Sequence, residues 1–396
     1  MNIQTIAKEL ESYILNCRRF LHAHPELSTK ETETTAFIIK ELESMGIEVQ
    51  TFDGITGCIG TIRGAQPGGT VMLRADIDAL PIQEQSDKDY RSQNPGVMHA
   101  CGHDGHTAML LGAAKILSAN KDRIQGTVKL LFQMAEEIGR KAEEYVFRGA
   151  LEGVDAIFGM HLWPSLETGT ANFAHGERMA CSDRFTIKVH GKLCHGSAPE
   201  KGHDAILAAA AVVMALQSIP SRQNDPQNAL VVSVGMMNGG TKQNIVADLV
   251  ELVGTVRTFN REFRNSMPDR IQALAQSVAQ GYGCSAECDY YFGPSPLIND
   301  DPFLVETAQK AAVKELGESC LVPLEKMTGA EDFSVYMEQI PGIYGYLGIR
   351  NAKKGLVCNV HHPQFDLDED VLPHGAGIYA QFALDCLAGL SSRKQN

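Results

Sequence analysis

The first third of the sequence alternates helical spacing with short runs that are apolar from end to end, and few architectures can bury such runs. Residues 3–21 and 31–45 place apolar side chains at helical intervals, and 105–118 (GHTAMLLGAAKILS) reads as a buried helix. Between them lie apolar runs at 57–63 (GCIGTIR), 70–75 (TVMLRA), 127–133 (TVKLLFQ) and 155–160 (DAIFGM). A strand without a polar face has no side to turn to water, so it must be covered by helices above and below. The alternation therefore predicts an α/β fold with a mainly parallel sheet.

The middle third changes period. Residues 184–190 (RFTIKVH) alternate like a half-buried strand, and 204–218 form an Ala-rich helix. Strands at 229–236 and 248–258, a helix at 264–282 and a strand at 283–292 follow. That order, βαββαβ, is a ferredoxin-like unit with an antiparallel sheet. After Pro294 and Pro296 the first pattern resumes, with a helix at 302–316 and a strand near 343–348. The expected organisation is a discontinuous α/β domain, 1–182 with 298–396, interrupted by a smaller inserted domain at 183–297. A length of 396 residues accommodates both.

Lys plus Arg number 35 against 48 Asp plus Glu, a formal charge of −13. Nucleic acid and anionic membrane surfaces require clustered basic charge, so both are excluded as partners. The ten cysteines are scattered from Cys17 to Cys386 without a CxxC pair. That usage fits a reducing cytoplasm better than a secreted disulfide framework. The N-terminus lacks a signal peptide's basic start and apolar core, and the longest apolar run, Ala205 to Leu216, is shorter than the roughly 18 residues of a membrane span. A soluble cytoplasmic protein is expected.

Functional groups in open α/β sheets collect beyond the carboxyl ends of strands. Three successive strands here end in candidate ligands or acid–base groups: Asp76 and Asp78 in LRADIDALP, Glu136 and Glu137 in LLFQMAEE, and His161 in FGMHLWP. Between the first two lies MHACGHDGH, with His99, Cys101, His103, Asp104 and His106, and NVHHPQFDLDED adds His361 and His362 near the C-terminus. Thiolate, imidazole and several carboxylates together suit a two-metal hydrolytic site. Each piece alone has a plainer use, as a helix cap, a solvated helix start or a surface histidine; placement at consecutive strand ends favours the metal reading. No GxSxG, GxGxxG or P-loop pattern is present.

At these residues the chain resembles the two-metal amidohydrolases of the aminoacylase and carboxypeptidase metallopeptidase family, closest to the subgroup of hippurate hydrolase, N-acyl-amino-acid amidohydrolases and plant indole-acetyl-amino-acid hydrolases. RRFLHAHPELS (18–28), LRADIDALP, MHACGHDGHTAML, FQMAEE, GALEGVDAIFGMHLWP, GGTKQNIVADLVELVGTVRTF, GAEDFSVYM and HHPQFDLDEDVLPHGA carry the resemblance over nearly the whole chain. It implies two divalent ions per subunit (zinc, manganese, cobalt or nickel), bridged by Cys101 and completed by His103, Glu137, His161 and His361. Glu136 would be the general base and Asp78 would orient a ligand, while Asp76, His99 and His106 could equally shape the loop.

In the inserted domain, a lid and dimerisation domain by the same resemblance, His195 of GKLCHGSAP would polarise the substrate carbonyl, reaching it from a partner subunit. Asn244 and Arg257 would hold the substrate's carboxylate; an Arg fork matches a carboxylate better than the ammonium of nearby Lys242. Gly329 would offer a backbone group, with Glu331 and Asp332 holding local structure. The implied activity is metal-dependent hydrolysis of the amide of a small-molecule N-acyl-amino acid by a homodimer or higher homo-oligomer. Met134, residues 138–144, Leu193, Cys194 and Lys242 depart from the family pattern and bear on substrate identity. The alternatives are a dipeptidase or carboxypeptidase, an N-acetyl-diaminopimelate deacetylase, and, more remotely, a non-catalytic binding protein on this fold.

Overall fold

The computed structural model describes residues 2–393, which divide into two compact units. The first comprises Met1–Gly176, Asn299–Glu325 and Val335–Asn396; the second comprises Glu177–Ile298 with Lys326–Ser334. The second unit thus begins at Glu177 rather than at 183, and it includes a segment that periodicity does not assign to it. The reason is a set of backbone bonds: Met327 N donates to Arg178 O, and Ala180 N to the carbonyls of Met327 and Gly329. These bonds tie 326–334 to the strand Gly176–Met179.

In the first unit a seven-stranded sheet runs, in spatial order, Glu48–Gln50, Cys58–Arg63, Gln125–Gln133, Gln66–Asp76, Ala156–Glu167, Gly342–Arg350 and Ala171–Asn172. The four central strands are mutually parallel and the flanking pairs antiparallel. Val71 lies opposite Val128 and Ala156, and Leu73 opposite Leu130 and Phe158. These side chains are withdrawn from water, as continuous apolar strands require. From Gln66–Asp76 the chain passes to a neighbour on one side, then returns to the other. That reversal opens a crevice at the carboxyl end of the central strand.

The helix His103–Ser118 connects the first two of these strands and is buried over nearly its whole surface. It packs closely on the long C-terminal helix Leu372–Arg393, which the sequence reading did not place. At Gly112 an added Cβ would come within 2.8 Å of Ala376 Cβ and Ile14 Cδ1, so the approach needs glycine. The helical pattern at 3–21 is split into Ile3–Glu9 and Glu11–Ala23 at Leu10, for which nothing local in the sequence accounts.

The second unit has its own core. Its four-stranded sheet runs Leu230–Gly239, Leu249–Thr258, Asp183–His190, Ser285–Tyr291, antiparallel throughout. The helices Ala205–Leu216 and Arg261–Gly281 bury Ala208, Val212, Leu216, Met267 and Ile271 with Phe185, Ile187, Val250 and Leu252 of the sheet. Helical turns continue past the apolar run to Gln223, giving 19 residues long and apolar enough to cross a membrane by length and composition. One face of this segment nevertheless belongs to the unit's core.

Candidate metal centre

Two histidines begin as neighbours on one helical turn and end with opposite fates. Gly102, at φ 88, lets the chain turn sharply between Cys101 and the helix that starts at His103. His103 Nδ1 donates to Asp78 O (2.9 Å) and lies 3.2 Å from Asp78 Oδ1. Its Nε2 is buried without a hydrogen-bond partner. His106 Nδ1, by contrast, donates to Asp76 Oδ1 (2.6 Å), and its Nε2 accepts the Leu162 amide (2.9 Å). Both nitrogens of His106 are spent, so it braces the loop and offers no lone pair to an ion. Asp104 also turns away from the crevice: it accepts from Arg18 Nε (2.9 Å) and pairs with His22 Nδ1 (2.8 Å). Against the upward push of burial, these neighbours hold its carboxyl well below the usual carboxylate range.

His161 lies just past the last residue pair that joins its strand to the central one, Arg74 with Gly159. There the strand borders the crevice. Its Nδ1 donates to Leu162 O (2.8 Å), leaving Nε2 as a lone pair 3.4 Å from Cys101 Sγ. Burial and the His106 ring press its pKa well below 6.5, so the imidazole is neutral. His361 adopts φ 63 and is fixed by its amide to Ala100 O (2.7 Å), bringing Nε2 to 3.3 Å from Glu137 Oε1. The adjacent His362 instead accepts from the Gln364 amide.

The ligand atoms of Cys101, His103 and His161 lie within 4.8 Å of one another, as do those of Cys101, Glu137 and His361. The two triads share the Cys101 thiol. Glu137 Oε1, like His103 Nε2, is buried with no hydrogen-bond partner. Such orphaned atoms are costly unless something absent from the protein satisfies them, and thiol, imidazole and carboxylate are the donor set for divalent transition metals. The residues fit a metal pair. Burial, then Glu137, Glu136 and Asp76, hold the Cys101 thiol far above its usual pKa. Despite burial, Asp76, Asp78 and Glu137 raise His103 to about 10. Without cations both groups keep their protons, and binding would displace them.

Asp78 organises the centre without a free oxygen. Oδ1 accepts from the Glu136 amide (3.1 Å) and faces His103 Nδ1; Oδ2 accepts from the Glu137 amide (3.1 Å) and Ser28 Oγ (2.7 Å). Ser28 was not singled out from the sequence, although it closes the HPELS motif. Asp76 is engaged by Arg74 and His106. His99 is fully buried with both ring nitrogens unpaired, and burial pushes it down to about 4. It belongs to neither triad. Glu136 is half-buried, and its carboxylate groups with those of Glu137 and His103 Nε2 within 4.8 Å.

In the second unit, His195 and Asn244 are brought together. His195 pairs with Ile245 in a two-stranded ladder, and Gly196 N donates to Asn244 O (2.7 Å). The Ser197 amide donates to His195 Nδ1 (3.1 Å), so the ring proton sits on Nε2. Arg257 and Gly329 flank a different segment. Arg257 Nη1 makes a long 3.5 Å bond to Cys181 O, while Gly329 O accepts from Ala180 N. Arg257 makes no ion pair among the described residues. Glu331 caps the turn that follows it, accepting from Phe333 N (2.9 Å).

Residues 72–385 match the model of peptidase family M20/M25/M40. Among curated relatives, the chain is 40% identical to the thermostable carboxypeptidase 2 of Saccharolobus solfataricus, over 95% of this chain and 96% of that one. It is 44% identical to an N-acyl-L-amino acid amidohydrolase of Geobacillus stearothermophilus, over 76% and 81%. Among solved structures, a dinuclear metal binding peptidase of the M20 family from Bacillus subtilis superposes with a TM-score of 0.85 at 38% identity, covering 96% of this chain and 99% of that one. The chain belongs to peptidase family M20/M25/M40 and is a metal-dependent hydrolase.

Proposed function

We propose that this protein hydrolyses the amide bond of N-acyl-amino acids, releasing a carboxylic acid and a free amino acid. The carrying observation is the pair of donor triads meeting at Cys101, with Glu136 beside them. His103 and His161 would hold one divalent ion, Glu137 and His361 the other, and Cys101 both. Zinc, manganese, cobalt and nickel suit a thiolate-containing set. Bound there, the ions supply Lewis acidity and bring the pKa of water toward neutrality.

Glu136 takes the proton of the attacking water and passes it to the amine nitrogen as the C–N bond breaks. His195 donates from Nε2 to the carbonyl oxygen as negative charge develops; the resemblance assigns this histidine to a partner subunit. Arg257 and Asn244 bind the substrate's free carboxylate, with Gly329 contributing its backbone. Support for Arg257 is its half-buried guanidinium, which makes no ion pair among the described residues. The second unit acts as a lid of ferredoxin-like topology, a reading supported by its element order and antiparallel sheet.

A second copy would pack against the exposed Ile206, Leu207 and Met214 of the lid helix and the edge strand bearing Val231, Met236 and Met237. Ten free cysteines fit a reducing cytoplasm. The 40% identity to a carboxypeptidase favours a second reading, cleavage of a C-terminal residue from a peptide, which would also present a free carboxylate to Arg257.

Metal analysis followed by turnover of N-acetyl-amino acids, N-benzoyl-amino acids and dipeptides separates these readings. Glu136→Gln should retain two ions and lose at least about 100-fold in kcat. Full turnover in that variant, or in exhaustively chelated protein, would overturn the proposal.

A further inference from the structure

Four consecutive amides precede and enter the Glu136–Glu137 turn, and every one is held by a side chain. Met134 N donates to Tyr145 Oη (3.0 Å), Ala135 N to Glu31 Oε1 (2.9 Å), and Glu136 N and Glu137 N to the two oxygens of Asp78 (3.1 Å each). The holders are themselves linked. Thr56 Oγ1 donates to Glu31 Oε2 (2.6 Å), and Tyr145 Oη donates to Thr56 O (2.6 Å). Glu31, Thr56 and Tyr145 therefore close a ring on adjacent amides of one turn.

We infer that Glu31 is a positioning residue for the Glu136–Glu137 turn, acting through the Ala135 amide. Three observations carry this. Glu31 is fully buried, yet it makes no ion pair among the described residues. It stands at the N-cap of the helix Thr32–Ser44 but makes no side-chain bond to that helix, so capping does not explain it. Finally, Ala135 is left-handed at φ 57, ψ 39, a conformation alanine keeps only when its surroundings impose it. Relaxation of Ala135 to a right-handed conformation would swing the next two amides off Asp78. It would carry with them Glu137 Oε1, which stands 3.9 Å from His103 Nε2 and 3.3 Å from His361 Nε2. Asp78 secures the turn from the crevice side; Glu31 secures it from the side of its left-handed residue.

The inference rests on reading Glu137 as a ligand and Glu136 as the base, so the test uses a readout independent of turnover. Competition between protein and a chromophoric chelator for zinc is measured first, then kcat and KM at saturating metal. Glu31→Ala should weaken zinc binding by about 10- to 100-fold and lower kcat at least about 10-fold, with KM within about threefold. Glu31→Gln keeps an acceptor for the Ala135 amide and should return both quantities to within about threefold of wild type. Thr56→Val, which frees Oε2 without touching the Ala135 bond, should shift both in the same direction by less. A folded Glu31→Ala with unchanged zinc affinity and kcat overturns the inference, as does Glu31→Gln impaired as severely as Glu31→Ala. Should Glu31→Ala fail to fold, unchanged zinc affinity in Thr56→Val overturns it. A wild-type chain that binds no divalent ion overturns this inference together with the functional reading, whereas an unaffected Glu31→Ala overturns this one alone.

Discussion

Glu315 stores a pH dependence of stability that has nothing to do with the metal centre. It lies near the end of the helix Pro302–Leu316, 1% exposed, and its Oε2 makes no hydrogen bond. The C-terminal helix presses Gly377 against it so closely that an added Cβ there would collide with the carboxylate. Burial alone pushes its carboxyl from 4.5 up to about 7. Because the folded pKa is the higher one, the native state binds more protons than the unfolded chain between these values. Stability from this group is therefore complete below about pH 4.5 and is lost as pH rises through about 7.

At 1.36 kcal/mol per pH unit, the gap from 4.5 to about 7 bounds the loss at about 3.4 kcal/mol, and residual water access reduces it. Glu315→Gln removes the ionisation while keeping the shape. Whatever offset the buried amide's own donors impose at pH 5, the variant's stability relative to wild type should climb by roughly 2–3 kcal/mol between pH 5 and pH 8. Denaturant titration of metal-depleted protein at several pH values measures this, metal-depleted because ion binding carries its own proton linkage. A difference between the two proteins that stays flat from pH 5 to pH 8 refutes the reasoning.

Two further perturbations test the framework on which the centre stands. Cys101→Ala removes the only donor common to both triads, so metal analysis should find both ions lost rather than one; retention of a full complement would separate the triads. Arg18 is fully buried and reaches Asp104 (2.9 Å), Asp366 (2.6 Å) and Glu369 (2.9 Å), so it joins the first turn of the helix His103–Ser118 to the segment after His361. Arg18→Met strands those carboxylates and should cost about 3–5 kcal/mol in denaturant unfolding; a loss under about 1 kcal/mol would show that they find other partners.

The parallel sheet and the pool of candidate donors were legible because both are properties of side chains at particular positions. Apolar runs leave a strand no wet face, and cysteine, histidine and carboxylate at successive strand ends meet in the crevice of a parallel sheet. What the sequence could not display is which donor atoms stay free. His103 and His106 share one helical turn, yet the Leu162 amide, on a strand more than fifty residues away, takes His106 Nε2 and leaves His103 Nε2 open. His361 and His362 are adjacent, and a left-handed backbone with one bond to Ala100 decides between them. Segment 326–334 joins the second unit through backbone bonds that carry no residue signature.

Glu31 is the extreme case. It holds the turn through the amide of an alanine 104 positions away, so neither residue type nor spacing marks it. The same logic gives the acidic composition a local meaning. Asp76, Asp78, Asp104 and Glu31 are all buried within or immediately behind the centre, where an unpaired carboxylate is expensive. Asp76 and Asp104 are paired with arginine and histidine, Asp78 with histidine and backbone amides, and Glu31 with an amide and a hydroxyl. None of the four keeps its charge for solvent. In the crevice Glu137 keeps an Oε1 that makes no hydrogen bond, and the half-buried Glu136 is placed beside it by the same turn. A fold that neutralises the acids behind its crevice while leaving a bare carboxylate oxygen and a bare imidazole nitrogen within it has arranged its charge for cations.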